Sequence, residues 1–279
     1  MATRATQVSR FIAAAFVTAS LFGANTPPVK TNGIDQGFRQ MYNLQFVEAH
    51  NTFHQWTAVH PEDPMGAVSD AAAYLFAEFD RLHILQSEFF TADDDFKSRV
   101  KPTPDPRIKG EFQKQIAACE RLAAAALARN PQDRNAQFAR ILALGLQSDY
   151  LALIEKRYVA SLRLMKNGRT MAQDLLAKDP SCYDAYLAVG VENYMLGTKA
   201  APVRWMLSLA GAQTDKAKGI EELKLTAEKG RYLEPFARLL LAVAALRDND
   251  KNKARGLLSG LAREFPNNEL YTRELARLR

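Results

Sequence analysis

All four histidines of the chain fall within 34 residues: His50, His54, His60 and His83. His50 and His54 stand four apart, which on a helix puts both imidazoles on one face, as two ligands of a zinc ion require. Glu48, Glu62, Asp63 and Asp80 are near enough in sequence to supply a third ligand. A metalloprotease of the His-Glu-x-x-His type needs a glutamate directly after the first histidine as its general base; Asn51 stands there instead. His50 and His54 each follow by one a position expected to pack, Ala49 and Phe53, so the helical register turns them toward solvent. His60 falls at a helix C-terminus, where partial positive charge is favourable. The His50/His54 pair is thus the arrangement from which a metal-binding protein or a metal-dependent hydrolase would be built.

Other chemistry finds no support in the residues. Gly256-Leu257-Leu258-Ser259-Gly260 lacks the Gly-x-Ser-x-Gly spacing of a nucleophile elbow and lies in a helical context. No Gly-rich phosphate loop of the Walker type occurs. The reading is therefore no catalysis and no cofactor. Cys119 occupies a small-residue position twelve before Pro131, and two whole helices separate it from Cys182, so free thiols are expected.

The elements that must carry these residues are helices. Ala and Leu are abundant, Val and Ile sparse, and no stretch alternates polar and apolar residues at period two. Helices are expected at 33–45, 46–59, 65–90, 107–129, 134–153, 156–178, 182–196 and 215–230, followed by a last hairpin and a closing helix over 270–279. The third is long, with Val68, Ala72, Leu75, Phe79, Leu82 and Leu85 at helical spacing. Three prolines at alternating positions, Pro102, Pro104 and Pro106, predict an extended connection. Asp93–Asp95 stand where they would cap a nearby helix. Asp215 suits the N-terminal dipole of the helix after it.

Residues 1–24 read as a signal peptide: Arg4 and Arg10 precede the apolar run Phe11–Ala24, with cleavage after Ala19 or Ala24. That run is too short to span a bilayer comfortably, so no membrane span is expected after cleavage. Export to the periplasm or the exterior is the expectation. A mitochondrial presequence is the alternative, since the first acid is Asp35. The domain reading is an acidic helical lobe over 25–96, a Pro-rich linker over 97–106 and a basic helical lobe over 107–279. Residues 25–96 hold three Lys/Arg against eleven Asp/Glu, a balance of −8, while residues 97–279 balance at +12. Such a dipolar chain allows weak head-to-tail self-association.

One spacing recurs at the two ends. Gly37, Ala49, Phe53 and Pro61 stand at the same offsets as Ala242, Ala254, Leu258 and Pro266. Each set describes two short antiparallel helices closed by proline, a unit of about 34 residues that cannot bury its apolar face alone. Asn130-Pro131 and Asp179-Pro180 repeat the punctuation, and Tyr186 and Gly190 take an aromatic and a small position. The pattern resembles the tetratricopeptide repeat over 30–63, 172–196 and 235–268. The stretch from Leu209-Ala210-Gly211 through Lys216–Leu223 to Gly230 is similar to the helical-repeat family that includes tetratricopeptide repeat protein 39 and the yeast inclusion-body clearance protein.

The resemblance implies an all-α fold of antiparallel helix hairpins stacked as an irregular right-handed α-solenoid, with a concave groove that binds proteins or peptides. Carried over residue by residue, the groove positions are Ile34, Phe38 and Met41, then Leu187, Val191 and Tyr194, then Leu239, Val243 and Leu246. Members that clamp a peptide's terminal carboxylates use Lys and Asn at the first two places of each set; here they are apolar, so no charged fork awaits a carboxylate. The resemblance thus implies a scaffold for an unidentified protein or peptide, through an apolar groove that the chain's own inserted helices could also fill. Nucleic acid is not an expected partner, because reading RNA by helical repeats needs a regular array with polar reading positions.

Overall fold

The computed structural model describes residues 33–84, 101–198 and 214–278. The signal-peptide region, the leader over 25–32, Asp93–Asp95 and the apolar Trp205–Gly211 run lie outside the described residues. Among the described residues the chain is all helical, with no strand. The helices are α1 (Gly33–Tyr42), α2 (Phe46–Val59), α3 (Pro64–Arg81), α4 (Pro106–Arg129), α5 (Arg134–Asp149), α6 (Tyr158–Lys178), α7 (Tyr186–Gly197), α8 (Lys216–Lys229), α9 (Glu234–Arg247), α10 (Lys251–Glu264) and α11 (Glu269–Arg277).

Helix starts follow local chemistry. Asp63, Asp105, Asp133, Asp215 and Asp250 each accept a hydrogen bond from a backbone N–H in the first turn of the next helix. Asn268 does the same for α11. Pro64 and Pro106 follow two of these caps, where a missing N–H removes nothing the helix needs.

Two helices end differently from expectation. The third was expected to run to 90; α3 stops at Arg81, and residues 85–90 of the expected span lie outside the described residues. His83 adopts the left-handed conformation at φ 52°, its N–H bonds to the Asp80 carbonyl, and the Ile84 N–H reaches back to Phe79. This paired closure satisfies the last carbonyls and drops Ile84 into the same core as Phe79, so the apolar spacing continues past the end of the helix. The fifth was expected to stay α-helical to 153; instead a π-helical turn, Tyr150–Ile154, follows Asp149. The Glu155 N–H bonds to the Tyr150 carbonyl, five residues back. Phe112 stacks on Tyr150 at 5.1 Å, and Lys109 bonds Glu155 at 2.7 Å, holding the widened turn to α4.

Each helix packs on its neighbours in the chain, and α1 with α3, α3 with α5 and α5 with α7 also touch. One close crossing is α7 on α8. There a Cβ on Gly219 would meet the Tyr194 nitrogen at 2.5 Å, and one on Gly190 would meet the Gly219 carbonyl at 3.1 Å. Only residues without a side chain permit that approach.

One apolar core runs from Ile34 to Leu278, drawing on residues from both sides of the Pro-rich connection. Buried Glu78 anchors that connection, since it accepts two bonds from Arg81 and one from the Asp105 N–H. The segment leading into α9 packs onto α1 and α5, and the first turn of α9 onto α3. Tyr232 lies 5.3 Å from Phe38 and 6.2 Å from Phe138, and Phe236 meets Phe76 at 5.6 Å.

Candidate functional site

An apolar cavity of about 180 Å3 lies among α5, α6, α7 and α9. Its walls are helical stripes. Phe138, Ile141, Leu142 and Gly145 run along α5, and Ser148, Asp149, Ala152 and Leu153 carry the same stripe into the π turn. Ser161, Leu164, Met165 and Gly168 come from α6, and Leu187, Ala188, Val191 and Met195 from α7. Phe236 and Leu240 close it from α9, Leu233 from the residue just before that helix, and Phe79 from α3. These spacings of three, four and seven are what a helix needs to present one face.

The polar groups of the cavity are mostly occupied within the protein. The Ser148 and Ser161 hydroxyls lie 2.9 Å apart, and Ser148 donates to the Ser161 carbonyl. Asp184 accepts from the N–H groups of Arg231, Tyr232 and Leu233 at 2.9–3.1 Å, which orders the approach to α9. Burial raises the Asp184 pKa, against the pull of those donors. Asp149 differs. It keeps part of its surface open to the cavity while protein encloses it, and no described residue gives it a hydrogen bond or an ion pair. Burial alone pushes its carboxyl up to about 7. Asp149 is thus a carboxyl without a described partner in the wall of an apolar cavity, next to a π turn.

The expected groove positions separate into three environments. Ile34, Phe38 and Met41 are only 1–2% exposed and belong to the core, where Tyr232 covers Phe38. Tyr194 is buried against Leu223, Leu241 and Ala244; Leu239 and Val243 are buried, and Leu246 is partly buried against the core. Leu187 and Val191 line the cavity. Met41 and Leu239 also border a narrow cleft of about 20 Å3, and Phe79 and Phe236 line both this cleft and the larger cavity.

His50 and His54 are brought together by a residue that the sequence did not single out. Buried Asp70 of α3 bonds Nδ1 of His50 at 2.5 Å through one oxygen and Nε2 of His54 at 3.1 Å through the other. His50 therefore faces α3, with its ring 4.1 Å from Tyr74, rather than solvent; His54 remains more than half exposed. The signal was present in Asp70, an acid set among Val68, Ala71 and Ala72 in an otherwise apolar stretch. Glu62 pairs with Arg129, and Asp63 caps α3 while accepting from Trp56 and Asn135. Among the described residues no group of three or more His, Cys, Asp or Glu side chains is arranged to hold a metal ion.

Cys119 and Cys182 are free thiols. Burial pushes Cys119 up to about 12 and Cys182 up to about 11, far from a reactive thiolate. No described helix is long and apolar enough to cross a membrane. No protein-family model and no curated protein matches the chain.

Proposed function

We infer that this protein is a non-catalytic binding scaffold, exported from the cell, whose irregular tetratricopeptide-like array takes an apolar segment of a protein or peptide partner into the cavity between α5, α6, α7 and α9. The observation that carries this reading is the cavity itself: apolar stripes from four helices converge on about 180 Å3, and they include the expected groove positions Leu187 and Val191. A space of that size accommodates one large side chain or a small aromatic body, and burying such a group supplies about 2 kcal/mol. The His50/His54 pair supports a metal centre less well, because each ring engages one nitrogen with Asp70 and, among the described residues, no group of three or more His, Cys, Asp or Glu side chains is arranged to hold a metal ion.

The test is to pan displayed twelve-residue peptides against the protein and measure each recovered peptide on Val191→Trp, which fills the cavity. Recovered peptides should carry large apolar side chains and bind the variant at least tenfold more weakly, with its thermal melt unchanged. Equal binding to both proteins would sink the reading.

A further inference from the structure

We propose that the group received by the cavity is an apolar body carrying a protonated amine, and that the Asp149 carboxylate is its counter-ion. This deepens the binding reading above and rests on it, with the amine supplied by a lysine of the peptide segment.

Three observations converge. The cavity walls are apolar on every helix that forms them, so a ligand's body is held by burial. The hydroxyls of Ser148 and Ser161 bond each other, and Asp184 is engaged by backbone N–H groups. Asp149 alone among the cavity's acids lacks a partner among the described residues, and no described Lys, Arg or His lines the cavity. A carboxylate removed from water without a partner is costly, and an entering ammonium relieves that cost while gaining an ion pair in a medium where charges are weakly screened. An anionic ligand meets repulsion at the same point, and a purely apolar one leaves the carboxyl unsatisfied.

The groups that face Asp149 define the expected pH response. Apart from Asp184, the residues lining the cavity from α3, α5, α6, α7 and α9 do not titrate. With the free carboxyl at about 7, its ionised fraction rises about tenfold between pH 6 and pH 8, and affinity for an amine follows.

Two matched pairs of probes test this: phenethylamine against ethylbenzene, and N-acetyl-Leu-Lys-Leu amide against the same tripeptide with norleucine for lysine. Each is titrated by calorimetry against the full chain at pH 6 and pH 8, and against Asp149→Asn at pH 8. The expected result is that the amine member of each pair binds at least tenfold tighter than its neutral partner at pH 8. That advantage should shrink about tenfold at pH 6 and vanish in Asp149→Asn. In the unaltered protein at pH 6, where the free carboxyl is mostly protonated, infrared difference spectra should show Asp149 ionising as the amine binds, a readout that needs no variant. If the small amine shows this behaviour and the tripeptide does not, the counter-ion role stands and the peptide source is wrong. If the neutral members bind as well as the amines, the cavity is a ligand site and the counter-ion role is overturned. If no probe binds, both this inference and the binding reading fall.

Discussion

Arg231 holds Asp35 in a two-point grip, Nε to one carboxylate oxygen and Nη2 to the other, both at 2.7 Å, across 196 residues of sequence. The pair joins α1 to the segment that leads into α9, and three further ties run alongside it. Arg39 pairs with Glu264, Asn43 accepts from the Asn267 N–H, and Asn268 donates to the Tyr42 carbonyl. The first described hairpin is thus fastened to the last. This contact also places Tyr232 over Phe38, so the same closure that stabilises the fold covers the first set of groove positions.

Breaking the grip should therefore loosen the closure. In a double-mutant cycle, Asp35→Asn and Arg231→Met should each destabilise the protein, with a coupling of about 1 kcal/mol that weakens in high salt, because the Arg231 side chain is largely exposed. Urea unfolding at low and high salt measures it; strictly additive losses would show that the pair contributes no coupling.

The α7–α8 crossing makes a sharper demand. Gly219→Ala sets a methyl against the Tyr194 backbone at 2.5 Å and should cost about 3 kcal/mol. Gly256, exposed on α10 with open space around it, should respond oppositely: Gly256→Ala should gain about 0.5–1 kcal/mol from helix propensity alone. Thermal melts of the two variants should move in opposite directions.

His83 closes α3 at φ 52°, a conformation that costs a side-chain-bearing residue about 1 kcal/mol or more relative to glycine. His83→Gly should raise the urea midpoint by the equivalent of about 1 kcal/mol without changing the slope of the transition. A lowered midpoint would mean that the exposed imidazole contributes more than its backbone costs.

Asp149 predicts an unusual dependence of stability on pH. Its carboxyl moves from the ordinary 3.8 to about 7 on folding. Between those values the native state keeps a proton that the unfolded chain has released, so this group makes stability fall as pH rises from about 4 to about 7, and then level. Asp149→Asn should abolish that portion of the slope and gain on the order of 3 kcal/mol at pH 8. Chemical denaturation at half-unit pH intervals reads it directly, and identical slopes in the two proteins would refute it.

The helices and many of their boundaries were legible because their causes are local. An Asp-Pro pair opens α3 and another opens α4, and a proline follows the ends of α2, α4, α6 and α10 within a few residues. Three- and four-residue periodicity marked the buried faces. The failures were also local in form. Leu82 and Leu85 continued the apolar spacing of α3, but the left-handed turn at His83 uses Ile84 as a core plug, which the periodicity of side chains cannot distinguish from another helical turn. The π turn after Asp149 adds one residue to a repeating pattern and leaves the composition unchanged.

The sequence by itself determined that this chain is helical, where its capped helices begin, and which faces are apolar, since capping, proline geometry and side-chain period act within a few residues. Only the tertiary structure decided which of those faces stay open. Phe38 is covered by Tyr232, Val191 looks onto a cavity, Asp70 gathers two histidines from another helix, and Asp149 is left without a partner among the described residues. The long-range closures among these join residues distant in the chain through packing that no local pattern encodes. Burial, which makes Asp149 unusual, is a property of everything that surrounds it.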